Sequence, residues 1–133
     1  MREMHDIHGG IHPPERKSLS RPGELRDTPL PAHLILPLRQ HLGVPAKAIV
    51  NVGDTVLGGQ VLAQAQGAMS VPVHAPTSGT ISAIEPRPIA HASGLADTCI
   101  ILETDGADQF IACEGIPEWQ TVAPSLLVER IRE

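Results

Sequence analysis

Aromatic and lysine side chains are scarce in this sequence. Its 133 residues include no tyrosine, one phenylalanine (Phe110), one tryptophan (Trp119) and two lysines, Lys17 and Lys47. Because aromatic rings are nearly absent, Leu, Ile, Val and Ala must fill the interior, and a thin β-sandwich suits such side chains. A chain of this length can form one domain with a core and tails, but it is too short for two ordinary domains.

Three further shortages exclude classes of function. The formal net charge is −5 and the basic residues are scattered, whereas sequence-independent binding of DNA or RNA needs clustered Lys and Arg. Cys99 and Cys113 form no C-x-x-C motif for zinc or an iron–sulfur cluster, so we interpret them as reduced apolar residues. No apolar run could cross a bilayer or serve as the core of a signal peptide, so we expect a soluble, cytoplasmic chain.

Residues 1–31 are rich in proline and charge, and their prolines prevent a continuous helix. We therefore predict an extended arm. His5, His8 and His12 would share one helical face and could suggest a metal site, but Gly9-Gly10 and Pro13-Pro14 break that helix. We favour solvated or locally hydrogen-bonded histidines, and the sequence alone does not decide whether these three bind metal.

The segment Val50–Ile84 has the pattern of β structure that folds back on itself. Apolar residues alternate at Val50 and Val52 and again at Val71 and Val73, which places them on one face of a strand. Gly58-Gly59 stands between two apolar pairs and predicts a tight hairpin turn. Because a strand and not a helix follows these glycines, we do not expect a phosphate-binding loop.

Strand and helix patterns also flank this segment. The chain before it predicts strands at Leu34–Leu38 and Ala46–Val52, with Pro37 confining the first to a sheet edge or ending it. The chain after it predicts, in order, a loop over residues 85–97, strands at Thr98–Glu103 and Gln109–Ala112, and a short helix at Ser125–Glu133. Alternation along the strands predicts an interior that includes Val50, Val52, Val56, Val61, Leu62, Val73, Ile81, Ile100 and Leu102.

Three sites with polar side chains are candidates for chemistry. His74 lies close to Thr77 and Ser78, but no carboxylate within the motif is placed to orient the ring, which disfavours a Ser–His hydrolase. His41 could contact a nucleotide or partner, or cap a loop, and we favour the cap. Arg87 is a weak anion-site candidate. We predict no catalytic, cofactor-binding or metal-binding residue in this chain.

Two half-motifs resemble the biotinyl/lipoyl carriers. GD-x-V-x-x-GQ-x-L begins at Gly53, and AP-x-SG-x-I begins at Ala75. The resemblance implies a barrel-sandwich hybrid fold, and in the carriers a lysine between the two halves receives the cofactor. Here Ser70 stands at that position, and both lysines lie elsewhere. A swinging-arm carrier is therefore disfavoured.

Four motifs follow one another along the chain: GGIHPP-x-x-K from Gly9, PL-x-x-H-x-G from Pro37, VGD-x-V-x-x-GQ from Val52 and HAPTSGT from His74. In this order they resemble the N-terminal domain of RnfC, a peripheral subunit of the Rnf ion-translocating electron-transport complex. The resemblance is nearly collinear from Gly9 to about Asp108. It implies an all-β barrel-sandwich hybrid at 32–113, preceded by the extended arm at 1–31. Residues 114–133 would form a linker and a helix leading to a downstream domain.

The RnfC resemblance implies a non-catalytic packing and docking module. The parent protein would carry 4Fe-4S clusters, with FMN and NADH as further cofactors, and this chain would carry none. Expected partners are a downstream flavin- and NADH-type domain and other Rnf subunits. The expected location is the cytoplasmic face of the inner membrane, which this chain would contact only through the complex. Two alternatives are the equivalent domain of the A subunit of sodium-translocating NADH:quinone reductase, which the arm disfavours, and a degenerate biotinyl/lipoyl-like binding module.

The arm is the candidate docking element within this resemblance. Pro13 and Pro14 fix the backbone angle φ, so ordering the arm costs less entropy than ordering a flexible tail. Two cations, Arg16 and Lys17, lie close to these prolines. The docking residues are Gly9, Gly10, Ile11, His12, Pro13, Pro14, Glu15, Arg16 and Lys17.

Overall fold

The computed structural model describes residues 9, 14–19, 21 and 23–132. This part of the chain is built of strands and one short α-helix, as predicted. The strands are β1 His33–Pro37, β2 Lys47–Ala48, β3 Thr55–Val56, β4 Val61–Gln64, β5 Val73–His74, β6 Gly79–Pro88 and β7 Ala96–Thr104. The helix α1 spans Pro124–Arg132, and two single-turn 3-10 helices lie at Lys17–Leu19 and Trp119–Thr121.

The strands form two antiparallel sheets around an aliphatic core. One sheet has the order β1-β7-β6-β3 and the other the order β2-β4-β5. Fully buried Ile81, Ile100 and Leu102 from the larger sheet belong to the same cluster as Leu62 and Val73 from the smaller one. Each such side chain removed from water contributes roughly 1.5–3 kcal/mol. The predicted barrel-sandwich hybrid is confirmed.

Most of the predicted interior is buried, with one clear exception. Val50 is half-buried against the core and Val61 is half-buried in β4, but Val52 is 60% exposed. The prediction for Val52 was wrong because the strand ends early. Asp54 accepts a hydrogen bond from the Asn51 N–H through its carboxylate (2.7 Å), which turns the chain and ends the alternation.

Gly58-Gly59 does not form a hairpin, so that prediction was wrong. The strands on either side, β3 and β4, pair in different sheets. The Gln60 N–H donates to the Leu57 carbonyl (3.1 Å) and Gly59 has φ +81°, as a type II turn requires. The turn carries the chain from one sheet to the other.

The predicted loop at 85–97 is shorter in the structure, because both of its ends belong to strands. β6 and β7 stay paired out to Pro88 and Ala96, and residues 89–95 make the connection. The prolines misled the prediction. Pro86 and Pro88 are tolerated because β3 pairs with β6 only at its first residues. The rest of that edge of β6 has no neighbouring strand, so no backbone N–H is needed there.

The predicted strand at Gln109–Ala112 was also wrong. Phe110 forms only an isolated bridge to Gly58, closed by Gly58 N–H to Gln109 C=O (2.8 Å) and Ile111 N–H to Gly58 C=O (2.9 Å). By contrast, the strand at Leu34–Leu38, the edge position of Pro37, the strand at Thr98–Glu103 and the C-terminal helix are confirmed within a residue or two.

Candidate functional site

The side chains of Ser78 and Thr77 form hydrogen bonds that stabilise the fold. Ser78 is fully buried, and its hydroxyl donates to the Asp105 carboxylate (2.7 Å) while accepting from the Gln109 N–H (2.9 Å). The Thr77 hydroxyl donates to Asp108 in the same way (2.7 Å). The turn before β6 is thus fastened to the loop after β7.

Asp105 and Asp108 were missed by sequence reasoning. They lie about thirty positions from their partners, and only the pairing of Gly79 with Thr104 brings the two turns together. The hydrogen bond from Ser78 is the main cause that lowers the pKa of the Asp105 carboxyl, and the Ala107 N–H adds to it.

His74 is not arranged for catalysis with these residues. It is exposed on β5, and none of the hydrogen bonds found among the described residues involves its ring. Since the Ser78 hydroxyl donates to the Asp105 carboxylate and not to a histidine, Ser78 and His74 do not form the hydrogen-bonded pair of a Ser–His hydrolase.

His41 caps a loop. Its Nδ1 accepts from the Gly43 N–H (2.9 Å), and its Nε2 lies 3.3 Å from the Val71 nitrogen. Because a neutral imidazole has one acceptor nitrogen, only one of these two N–H groups can be bonded at a time, and the shorter contact is the one from Gly43. The ring thus closes the loop after β1, and its Nε2 edge lies against the segment that precedes β5.

The segment that would present the modified lysine of a carrier is tied to the protein body. The hydroxyl of Ser70, at the lysine's position, donates to the Val44 carbonyl (2.9 Å). The Val44 N–H donates to the Met69 carbonyl (3.0 Å). The segment therefore packs against the loop after β1, and its polar group is already used.

Two other candidate side chains have local partners. Arg87 forms an ion pair with Glu85 (2.6 Å), so its charge is partly neutralised. Cys99 is fully buried and donates to the Asp97 carbonyl (3.3 Å); burial raises the pKa of its thiol, which suits a structural cysteine. Cys113 is exposed.

The described residues contain no group of three or more His, Cys, Asp or Glu side chains that could hold a metal ion. His5, His8 and His12 lie outside the described residues. So do four members of the predicted docking arm, namely Gly10, Ile11, His12 and Pro13.

The described end of the arm is exposed and turns sharply. Arg16 has φ +50°, an uncommon angle for a residue with a side chain, and a 3-10 turn begins at Lys17. Lys17 and Glu15 form an ion pair (2.7 Å) between side chains that are each about two-thirds exposed. Such a pair contributes little to stability and leaves both groups accessible.

A groove of about 620 Å³ lies between β1, the loop after it and the β6–β7 connection. Its apolar lining includes Ile35, Pro37, Leu42 and Ile89. Its polar lining is Arg39, Gln40, His41 and His91, with no acidic residue. Sequence reasoning missed this groove because its walls come from separate segments. The groove thus has apolar walls and a polar rim, in which Arg39 is paired with Asp97 (3.2 Å).

Comparison with known proteins points to one family. The family model for the RnfC barrel sandwich hybrid domain matches residues 5–107. Relatives named as the C subunit of an ion-translocating oxidoreductase complex are 49% identical in Serratia proteamaculans, 48% in Klebsiella pneumoniae and 47% in Cronobacter sakazakii. Each match covers 96% of this chain but only 16–18% of the relative.

No helix in the described part of the chain is long and apolar enough to span a bilayer. The matched region is a small part of the length of the compared subunits.

Proposed function

The chain belongs to the family of the RnfC barrel sandwich hybrid domain, and we propose that it is the non-catalytic docking domain of an RnfC-like subunit. The parent complex would be a membrane-associated, ion-translocating NADH:ferredoxin-type oxidoreductase. One observation carries the docking role. The polar side chains that could have done chemistry, Ser78, Thr77 and His41, bind the chain's own turns, while apolar side chains are left exposed.

The redox chemistry of the parent is assigned to residues outside this chain. In this proposal the 4Fe-4S clusters, FMN and NADH belong to the rest of the parent. Two observations support that division. Cys99 is enclosed by the core and cannot reach a cluster, and Gly58-Gly59 leads into a strand and not into the helix N-terminus that binds phosphate groups.

The proposed partners are a downstream flavin- and NADH-type domain and other subunits of the complex. The exposed cations Arg16 and Lys17 support a docking role for the arm, because accessible charges guide association and fix its register. The proposed location is the cytoplasmic face of the inner membrane, with contact to the bilayer only through other subunits.

The proposal is tested by deleting residues 32–113 from the full-length parent. We expect the shortened parent to lose co-purification with the other subunits, because its docking surface has been removed. Its flavin and iron–sulfur absorbance per mole should stay at the wild-type level. If the shortened parent assembles normally but loses its cofactors or its NADH oxidation, the domain belongs to the redox site and the proposal is wrong.

A further inference from the structure

We propose that the free edge of β1 binds an extended, acidic and partly apolar segment of another polypeptide, which adds a strand to the four-stranded sheet. This inference rests on the proposed docking function and names the surface and the chemistry of the partner. The groove beside β1 would receive an apolar side chain of the same segment. Strand addition of this kind takes its affinity from backbone hydrogen bonds and its specificity from neighbouring pockets.

The backbone of β1 has unused groups on its outer side. The Thr104 N–H donates to Ala32 C=O (2.9 Å), and the Leu38 N–H donates to Thr98 C=O (3.0 Å). Since alternate residues of an antiparallel strand turn towards the same neighbour, Leu34 and Leu36 also bond to β7. His33 and Ile35 therefore direct their N–H and C=O groups away from it. Among the described residues, none bonds to these four groups.

Two features end this free edge at Pro37. Proline has no N–H to offer, and its carbonyl already accepts from the Gln40 side-chain amide (3.0 Å). A partner strand can therefore pair along His33–Ile35 only. Beyond Ile35 it must leave the edge, and the groove lies at that point.

Apart from Pro37 at its end, β1 lacks the usual protection of an edge strand. Natural proteins guard such edges with inward-pointing charges, bulges or very short strands. The other edge strands, β2, β3 and β5, are each two residues long. β1 has five residues, His-Leu-Ile-Leu-Pro, pairs in unbroken register with β7, and leaves Ile35 48% exposed. The open part of the β6 edge carries Pro86 and Pro88, which have no N–H to offer, so the β1 edge is the better site for a partner strand in the described structure.

The groove indicates the side chains of that partner. Leu42 is fully exposed and Ile89 half-buried, so an apolar side chain placed between them would be removed from water. Arg39 also lines the groove. Its Nε donates to Asp97 (3.2 Å), and no hydrogen bond of its Nη groups is found among the described residues. Although its Nε is paired with Asp97, Arg39 can still offer its Nη groups to a carboxylate of the partner.

The same chemistry disfavours two other occupants. A second copy pairing β1 with β1 would bring a strand that has no carboxylate for Arg39. The described end of the arm carries Arg16 and Lys17 and a single carboxylate, Glu15, which is already paired with Lys17 (2.7 Å) and is a poor partner for Arg39. We therefore assign the edge to a different polypeptide.

The first test changes Ile35 in the full-length parent and measures how much of the other subunits co-purifies with it. Ile35→Pro removes the outward N–H, at an edge position where proline is tolerated. We expect recovery of the partner subunits to fall at least about tenfold. Ile35→Val is the matched control, because it keeps the N–H and the branched side chain, and it should assemble normally. Normal assembly of Ile35→Pro would overturn the proposal.

The second test does not depend on the fold tolerating proline. Leu42 is fully exposed, so Leu42→Glu and Leu42→Lys both lose the same apolar contact without disturbing the core. An acidic partner should bind the Glu variant several-fold more weakly than the Lys variant, and the difference should shrink in high salt. Equal recovery with both variants, or weaker binding by the Lys variant, contradicts the proposed charge.

Cross-linking identifies the occupant directly. A photo-reactive benzoylphenylalanine at position 42 of the parent, in the assembled complex, should link to an acidic extended segment of another subunit. Links to a second copy or to residues 1–31 would overturn the assignment. If deletion of 32–113 abolishes assembly but Ile35→Pro does not, the docking function stands and this surface is wrong. If neither change affects assembly, both fail.

Discussion

At the scale of single residues, the buried polar side chains hold two turns of the protein together through hydrogen bonds. Ser78 and Thr77 are buried at the turn before β6, and each donates to a carboxylate on the loop after β7. A buried hydroxyl without a partner would cost about 1–3 kcal/mol, so the two aspartates allow the turn to be buried. The partner of each hydroxyl decides its role. A serine bonded to a histidine would suggest a hydrolase, whereas Ser78 and Thr77 are bonded to aspartates and hold two turns together.

The ionised form of Asp105 supports the fold, which gives a pH prediction. Because the Ser78 hydrogen bond lowers the pKa of Asp105 in the folded state, its contribution is complete above the ordinary pKa of the carboxyl. As pH falls from about 4 towards the lower folded pKa, the unfolded state takes up the proton first and the contribution is lost.

We therefore expect Asp105→Asn to flatten the decline in melting temperature at acid pH. Thermal melts of the variant and of wild type between about pH 3 and pH 7 measure this. Asp27→Asn, which removes an exposed carboxylate from the segment before β1, is the charge-matched control and should leave the acid slope unchanged. Equal slopes for wild type and Asp105→Asn would contradict the prediction.

Ile81 provides the packing prediction at this scale. It is fully buried between the two sheets, so Ile81→Ala removes apolar contacts and leaves a cavity. We expect the free energy of unfolding to fall by roughly 2–5 kcal/mol, measured by chemical denaturation. A loss below about 0.5 kcal/mol would place this side chain at the surface.

At the scale of elements, the long β6–β7 hairpin organises the larger sheet. β6 and β7 pair over more residues than any other two strands. The connection at the far end of this hairpin lines the groove beside β1 through Ile89 and His91. The ion pair between Arg39 and Asp97 (3.2 Å) joins this end to the loop after β1. One rigid element thus connects the core to the proposed docking surface.

The start of the hairpin depends on the absence of a side chain at Gly79. A Cβ there would collide with the Glu103 carbonyl on the paired strand, which cannot move without opening the ladder. We expect Gly79→Ala to lower the free energy of unfolding by at least about 2 kcal/mol in chemical denaturation.

Gly115→Ala is the matched control for this substitution. A Cβ at Gly115 would meet nothing within 4 Å, so the change should stay within about 0.5 kcal/mol. Similar losses for both glycines would show that the hairpin can move aside, and the close approach at Gly79 would then have no energetic consequence.

At the scale of the whole molecule, the sandwich and the arm should be separable. The described end of the arm, Pro14–Lys17, is exposed, and its ion pair is made within the arm itself. Deleting Met1–Lys17 from this chain should therefore shift its melting temperature by only a few degrees. The same deletion in the full-length parent should weaken assembly of the complex. If the deletion unfolds the isolated chain, the arm is part of the core and the docking role of the arm is wrong.

The amino-acid sequence by itself determined the fold class, the edge position of β1 and the absence of a carrier lysine. Strand alternation at Thr98–Glu103 and the helical spacing near the C-terminus are local patterns, and local patterns report which side of an element a residue occupies. The ordered motifs carried the resemblance to the RnfC domain, which the family match confirmed.

Only the tertiary structure decided how these elements meet. The exposure of Val52, the crossing at Gly58-Gly59 and the length of β6 all depend on which strands pair, and pairing between distant segments leaves no local periodicity. The carboxylate partners of Ser78 and Thr77 and the groove beside β1 were invisible for the same reason. Each is assembled from turns that lie far apart in the chain and become neighbours only when the sheets close.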